Sequence, residues 1–320
     1  MSNRSFPALL HPDADMYFDF MDYNETNFTA EGNGVGCFQI HTPPELFLAL
    51  GLISLVENVL VIVAICKNRA LHSPMYSFIC CLAVSDTLVG LSNVVETVCM
   101  LLNDHAWMNI PPYALRHLDN VVDALICSSV VSSLSFLCTI AADRYITVFY
   151  ALRYRSIMTT RRAAAIIAAV WLGSVVSSIL FIVYHTDVAV IVCLVTFFCV
   201  ILVSNAALYV HMFLTAHLHS RRITSFDKNR RHSTNTKGAI TLTILLGVFT
   251  LCWGPFFLHL ILIVVCPTER FCNCYFRNFN VFLILIICNS LIDPLIYACR
   301  SPELRKTLLE MLRCCWRIRI

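Results

Sequence analysis

The chain has 320 residues, of which 58% are apolar and only 13% charged, and its formal net charge is +3. With a mean hydropathy of +0.73, that balance excludes an ordinary soluble globular domain. A membrane protein is expected, with lipid rather than nucleic acid around it.

Residues 1–44 form a polar arm. It carries Asp13, Asp15, Asp19, Asp22, Glu25 and Glu31, together with three N-x-S/T sequons at Asn3, Asn24 and Asn27 and none elsewhere. Sequons are glycosylated only in the secretory lumen, so an extracellular, glycosylated tail is expected. The acidic residues would keep such a tail solvated and would favour a cationic partner. No cleavable leader pattern precedes the first apolar stretch, which is therefore expected to act as an uncleaved signal anchor.

Seven apolar stretches follow, over residues 46–66, 74–102, 118–148, 163–184, 188–213, 239–266 and 279–299. Each is long enough to cross roughly 30 Å of hydrocarbon. They are continuous rather than alternating, and a backbone in lipid must satisfy its own hydrogen bonds, so they read as helices and not barrel strands. The predicted fold is all-α: a seven-helix membrane bundle over 45–300 and a short cytoplasmic amphipathic helix and tail over 301–320. With the N-terminus outside, 19 of the 23 Lys and Arg fall in inner loops, adjoining helix ends and the tail. That bias predicts a plasma-membrane protein with an extracellular N-terminus.

A receptor, a transporter and a membrane enzyme all fit seven spans. Transporters usually show related halves, and no internal repeat is visible here. The histidines lie mostly at helix ends and loops, which offers no nucleophile–base pair or metal cluster for an enzyme. The spans instead carry unlike signatures. Span two reads "LAVSD" with Asp86 in mid-membrane, and span three ends in "DRYITVF" with Asp143, Arg144 and Tyr145. Span four holds Trp171. Span six reads "CWGPF" around Trp253 and Pro255, and span seven reads "NSLIDPLIY" with Asn289, Asp293, Pro294 and Tyr297. Five signatures in this order resemble the rhodopsin-like G-protein-coupled receptors over essentially the whole chain.

The chemistry of these positions can be argued directly. Ionised groups inside a bilayer cost at least about 2.5 kcal/mol each, so Asp86 and Asp293 are expected to share a polar network with Asn289 and Ser133. That network reads equally as an interhelix contact or as a sodium or proton site. Arg144 can pair with Asp143 at rest; the resemblance implies that, once released, it faces a G protein. Pro255 removes one helical hydrogen bond and gives span six a hinge beneath Trp253.

The stretch "LRHLDNVVDA" sets Asp119 and Asp123 four residues apart at the rim of span three. On a helix they share one face, about 6 Å apart in height. At an effective dielectric of about 20, two such carboxylates repel by roughly 3 kcal/mol. Glu96, near the outer end of span two, is placed to face the same pocket. Three carboxylates invite an arginine or a hard divalent cation, with calcium the better match. Arg116, three residues before Asp119, is the simpler alternative as a rim ion pair.

Glu96, Asp119 and Asp123 match the acidic triad of the melanocortin receptors. The resemblance implies that they hold Ca2+ together with peptide backbone groups and receive the arginine of a His-Phe-Arg-Trp core. Other features are similar to the same family. Asp119 stands where most relatives have a cysteine, the second outer loop is essentially "HTD", span five lacks the usual proline, and span one reads "ENVLV". Ile126 lies where amine receptors carry an aspartate, and span seven has no lysine for retinal. The aromatic side of the pocket would come from Phe256, Phe257, His259 and Phe279, although Phe256 and Phe257 read equally as interhelix packing.

Seventeen cysteines are present, most of them single intramembrane residues that behave as small apolar side chains. Four outer cysteines allow three pairings, of which the family implies Cys266 with Cys272 and Cys37 with Cys274. Cys314 and Cys315 close the amphipathic stretch "SPELRKTLLEMLRCCW" and read as palmitoylation sites or, alternatively, as free thiols. The resemblance as a whole implies a non-enzymatic receptor for melanocyte-stimulating and corticotropin-type peptides. It implies coupling to the stimulatory G protein and adenylyl cyclase, with arrestin and receptor kinases as further partners. An agouti-type antagonist and a single-span accessory protein are implied only by family. Within the family the chain looks most like the pigment-cell, type 1 branch, with types 3, 4 and 5 as alternatives.

Overall fold

The computed structural model describes residues 40–104, 111–150, 152–183, 188–223, 232–266 and 270–317. Asn3, Asn24, Asn27 and Cys37 lie outside the described residues, as do the side chains of Asp119, Asp123, Cys314 and Cys315.

All regular structure among the described residues is helical. The elements are α1 (Pro44–Lys67), a 3-10 turn (Arg69–Leu71), α2 (Pro74–Asp104), α3 (Pro112–Phe149), α4 (Tyr154–Ile157), α5 (Thr160–Val183), α6 (Val188–Ile223), α7 (His232–Val265), α8 (Arg270–Phe276), α9 (Phe279–Arg300) and α10 (Pro302–Arg317). Seven of them, α1, α2, α3, α5, α6, α7 and α9, are long and apolar enough to cross a membrane. Three outrun the apolar stretches that predicted them by six residues or more at one end. α3 begins at Pro112, α6 continues to Ile223 and α7 begins at His232. Once a helix is nucleated, each further residue adds a hydrogen bond at little cost, so polar flanks extend it into water.

The helices close a ring: α1 on α2, α2 on α3, α3 on α5 and α6, α6 on α7, α7 on α9, and α9 back on α1. The α1–α2 seam is the tightest. A Cβ on Gly51 would stand 2.5 Å from Asn93 Nδ2, and one on Gly90 would stand 3.2 Å from the Gly51 carbonyl. Small residues permit this approach where lipid supplies no hydrophobic drive between helices. The Asn93 amide then donates across the seam to the Phe47 carbonyl at 2.7 Å.

Inside the ring lie two apolar storeys. The one beside α10, here called the inner one, gathers Val61, Ile65, Phe78, Leu82, Phe136, Ile140, Tyr297 and Leu304. The outer one gathers Phe47, Val130, Leu134, Phe198, Phe249, Trp253, Phe257 and Ile286. A layer of buried polar residues separates them: Ser54, Asn58, Ser85, Asp86, Ser129, Ser132, Ser133, Asn289, Ser290 and Asp293. Outward faces are apolar, as at Leu172 and Val203, 68% and 67% exposed, which suits contact with acyl chains.

α10 lies against the inner storey. Ser301 caps it, its hydroxyl accepting from the Leu304 N–H at 3.1 Å, and Pro302 takes the first helical position. Leu304 is fully buried while Leu309 and Leu312 face outward.

Candidate functional site

The polar layer is a net of bonds between helices, because each polar group withdrawn from water must find a partner inside the bundle. The Ser290 hydroxyl of α9 donates to Asp86 Oδ1 of α2 at 3.1 Å, and Ser133 of α3 is buried in the same layer. Asn289 Nδ2 donates to Asp293 Oδ2 at 3.2 Å, one turn along α9. The Ser85 and Ser132 hydroxyls meet at 2.7 Å between α2 and α3. Asn58 of α1 donates to the Ser290 carbonyl at 2.9 Å and to the Ser54 carbonyl at 3.0 Å. Asp86 and Asp293 are both 2% exposed. Asp86 Oδ2 and Asn289 Oδ1 have no hydrogen-bond partner among the described residues. The predicted company of Asp86, Asp293, Asn289 and Ser133 is thus brought together, and Asn58, Ser85, Ser132 and Ser290 join it.

At the inner end of α3, Arg144 Nη2 stands 3.9 Å from Asp143 Oδ2. That distance makes a loose ion pair. The firmer contact to Asp143 comes from the Tyr154 hydroxyl of α4, which donates to Oδ1 at 2.8 Å. Burial, and after it the neighbouring Asp143 carboxyl, push the Tyr154 hydroxyl up to about 12. It therefore remains a donor throughout the physiological range. Tyr145 packs against Phe149 and His211, with ring centroids 4.5 and 5.5 Å away. Two further bonds tie α10 to the bundle: Asn68 Nδ2 to the Thr307 hydroxyl at 2.8 Å, and the Tyr76 hydroxyl with that of Ser301 at 2.7 Å.

The outer half is aromatic. Trp253 is 2% exposed, with Phe249 and Phe256 at 6.0 and 6.3 Å. Phe257 stacks on Phe198 of α6 at 3.6 Å, so it packs between helices. Phe256 touches Phe257 edge-on at 5.7 Å and reaches Phe279 at 6.2 Å. His259 is 3% exposed, among the rings of Phe279, Phe276, Phe282 and Tyr275 at 4.8, 5.1, 5.9 and 6.3 Å. Phe256, His259 and Phe279 therefore converge, with His259 the most deeply buried of the three. Cys266 and Cys272 are joined by a disulfide. Cys274 is disulfide-bonded too.

Glu96 is 7% exposed on α2, the helix that packs along α3. Among the described residues no three His, Cys, Asp or Glu side chains stand close enough to hold a metal ion, and those of Asp119 and Asp123 are not among them. The α3 backbone near these two is fixed from α5: the Ser178 hydroxyl donates to the Ala124 carbonyl at 2.6 Å.

Sequence reasoning missed Tyr154, Asn58, Ser178 and Tyr275. Tyr275 donates its hydroxyl to the Pro255 carbonyl at 2.8 Å. Nothing in the local pattern marks these residues, since each acts on a partner in another element. A comparison with known families completes the picture: the family described as 7 transmembrane receptor (rhodopsin family) matches residues 57–297, from the middle of α1 to the inner end of α9.

Proposed function

Because the chain belongs to the rhodopsin family of seven-transmembrane receptors, we propose that it is a cell-surface receptor for melanocortin peptides that raises cyclic AMP through the stimulatory G protein. The family brings a heterotrimeric G protein as partner. The choice of peptide, coupling and orientation is the finer reading, with the glycosylated arm outside and the basic loops within. It favours the pigment-cell branch of the melanocortin family.

The observation that carries this reading is a concentration of carboxylates at one end of the bundle. Glu96 is withdrawn from solvent on α2, and the helix packed beside it carries Asp119 and Asp123 one turn apart. A buried carboxylate such as Glu96 is costly in a membrane protein unless its charge is balanced. Hard oxygen donors of this kind fit calcium, and Glu96, Asp119 and Asp123 would be the residues to hold it. A bound ion would supply fixed positive charge among the carboxylates. The carboxylates would orient the arginine of the peptide, while Phe256 and Phe279 supply faces for its Phe and Trp. Below them Trp253 and the hinge at Pro255 pass a change in α7 to the inner end. There the loose Arg144–Asp143 pair leaves the guanidinium ready to turn toward a G protein.

The test is cyclic AMP output from cells expressing the chain, titrated with melanocyte-stimulating peptide in calcium-containing medium and again after extracellular chelation. A potent response that moves to much higher peptide concentration on chelation is expected. A calcium-insensitive response would overturn the metal site and leave the carboxylates to bind arginine directly. No response to the peptide would overturn the melanocortin assignment and point to a different cationic ligand.

A further inference from the structure

Pro255 lies inside α7. Having no N–H, it deprives the Leu251 carbonyl of its helical donor, and proline within a helix is the usual site of a bend. A hinge is useful only if something holds it in one setting. The structure puts a donor from a different segment on this turn: the Tyr275 hydroxyl, 2.8 Å from the Pro255 carbonyl and twenty residues away in sequence.

Tyr275 is itself held from several sides. Its ring stacks on Phe282 of α9 at 4.6 Å and lies 6.3 Å from His259 of α7. Its carbonyl accepts from the Asn278 N–H at 3.1 Å. The Asn278 side chain donates to the Cys274 carbonyl at 3.2 Å and accepts from the Ile40 N–H at 3.0 Å. A few residues earlier the chain is closed by the Cys266–Cys272 disulfide. Backbone at the end of the N-terminal arm is thus connected through Asn278 and Tyr275 to the turn of α7 that contains the proline. Burial raises the Tyr275 hydroxyl above the ordinary tyrosine value, which keeps it a donor at every physiological pH.

We propose that Tyr275 is a positioning residue for the α7 hinge: its hydroxyl clamps the backbone at Pro255 and connects the outer segment 270–278, and through Asn278 the backbone at Ile40, to the turn about which α7 moves. In the arrangement seen here, with Arg144 beside Asp143, the clamp is closed. A ligand that displaces segment 270–278 opens it and lowers the resistance of α7 to bending. This rests on the receptor reading above but not on the identity of the peptide.

Two variants test it in the full chain. Tyr275→Phe keeps the ring and removes only the hydroxyl, and Asn278→Ala removes the support behind it. In lipid nanodiscs, amide hydrogen exchange over residues 256–263 is expected to rise in both variants, with α1 unchanged as an internal control. In cells, ligand-free cyclic AMP is expected to rise about three- to fivefold, the weight of one net hydrogen bond. Affinity for a labelled antagonist peptide is expected to stay within about twofold, a separation that a merely structural loss would not give. Exchange identical to wild type in Tyr275→Phe overturns the clamp. Raised exchange with unchanged ligand-free output, in a wild type that signals, overturns its link to activation. A wild type that signals through no G protein would count against the receptor reading alone, since the exchange measurement still tests the clamp.

Discussion

The two ends of the bundle are fastened differently. At the inner end single polar bonds join separate elements: Tyr154 to Asp143, Asn68 to Thr307 and Tyr76 to Ser301. At the outer end aromatic rings crowd around His259 and the Cys266–Cys272 disulfide closes the loop before α9. Polar bonds at a water boundary exchange readily with solvent, because each is worth only about 1 kcal/mol net. Stacked rings and covalent bridges do not. The inner end is therefore built to come apart, and the outer end, apart from the single Tyr275–Pro255 bond, to keep its shape around a ligand.

Substitutions should separate accordingly, with inner ones changing output and outer ones, the Tyr275 clamp and its Asn278 support excepted, changing affinity. The largest effect is expected for Arg144→Ala, which should retain labelled-peptide binding and lose cyclic AMP output; normal signalling would remove Arg144 from the coupling step. Asp123→Asn comes next. Peptide potency should fall at least about tenfold, or 1.4 kcal/mol, with surface expression measured by flow cytometry unchanged. An unaltered dose–response curve would dismiss the acidic triad. Cys274→Ser should weaken binding by about three- to tenfold, more than the loss of any one sequon does; equal effects in a saturation assay would argue against a tie from Cys274 to the N-terminal arm.

Tyr154→Phe is expected to lower ligand-free output about two- to threefold by freeing Asp143 to pair more closely with Arg144. The sign of its pH dependence follows from a hydroxyl raised to about 12. The donating form is fully present below the unfolded tyrosine value near 10 and is lost only as pH climbs through 12. The difference from wild type should thus be flat between pH 6.5 and 8.5 in membrane-based nucleotide exchange, and a difference that varies across that window would assign it to another group. The smallest effect should come from Asn68→Ala, about a twofold loss of maximal output as α10 loosens. An output equal to wild type would show that Leu304 and the Tyr76–Ser301 bond hold α10 unaided.

Seven spans were legible because length and apolarity are summed over some twenty residues each, and no local ambiguity survives such a sum. Asp86, Asp293 and Asn289 were legible for the opposite reason: a single polar group in apolar surroundings stands out. Tyr154, Tyr275 and Asn68 were not. They are ordinary residues in polar surroundings, and their meaning lies in partners 11, 20 and 239 positions away. The ends of α3, α6 and α7 escaped too, since helix continues past the point where apolarity stops. His259 shows a further gap: its spacing from Phe256 marks a shared face, but only the surrounding rings reveal that it is buried among them.

The seam at Gly51 and Gly90 has a mechanical consequence. With no room for a single added carbon between the Gly51 Cα and Asn93, α1 and α2 cannot slide without breaking the bond from Asn93 to Phe47. α9 is laced to the same pair by Asn58 and Ser290, and α10 by Asn68 and Tyr76. These four helices form a stator. Motion is left to α6 and α7, whose flanks carry exposed apolar side chains such as Val203 and Leu251 that slip past acyl chains without losing a bond.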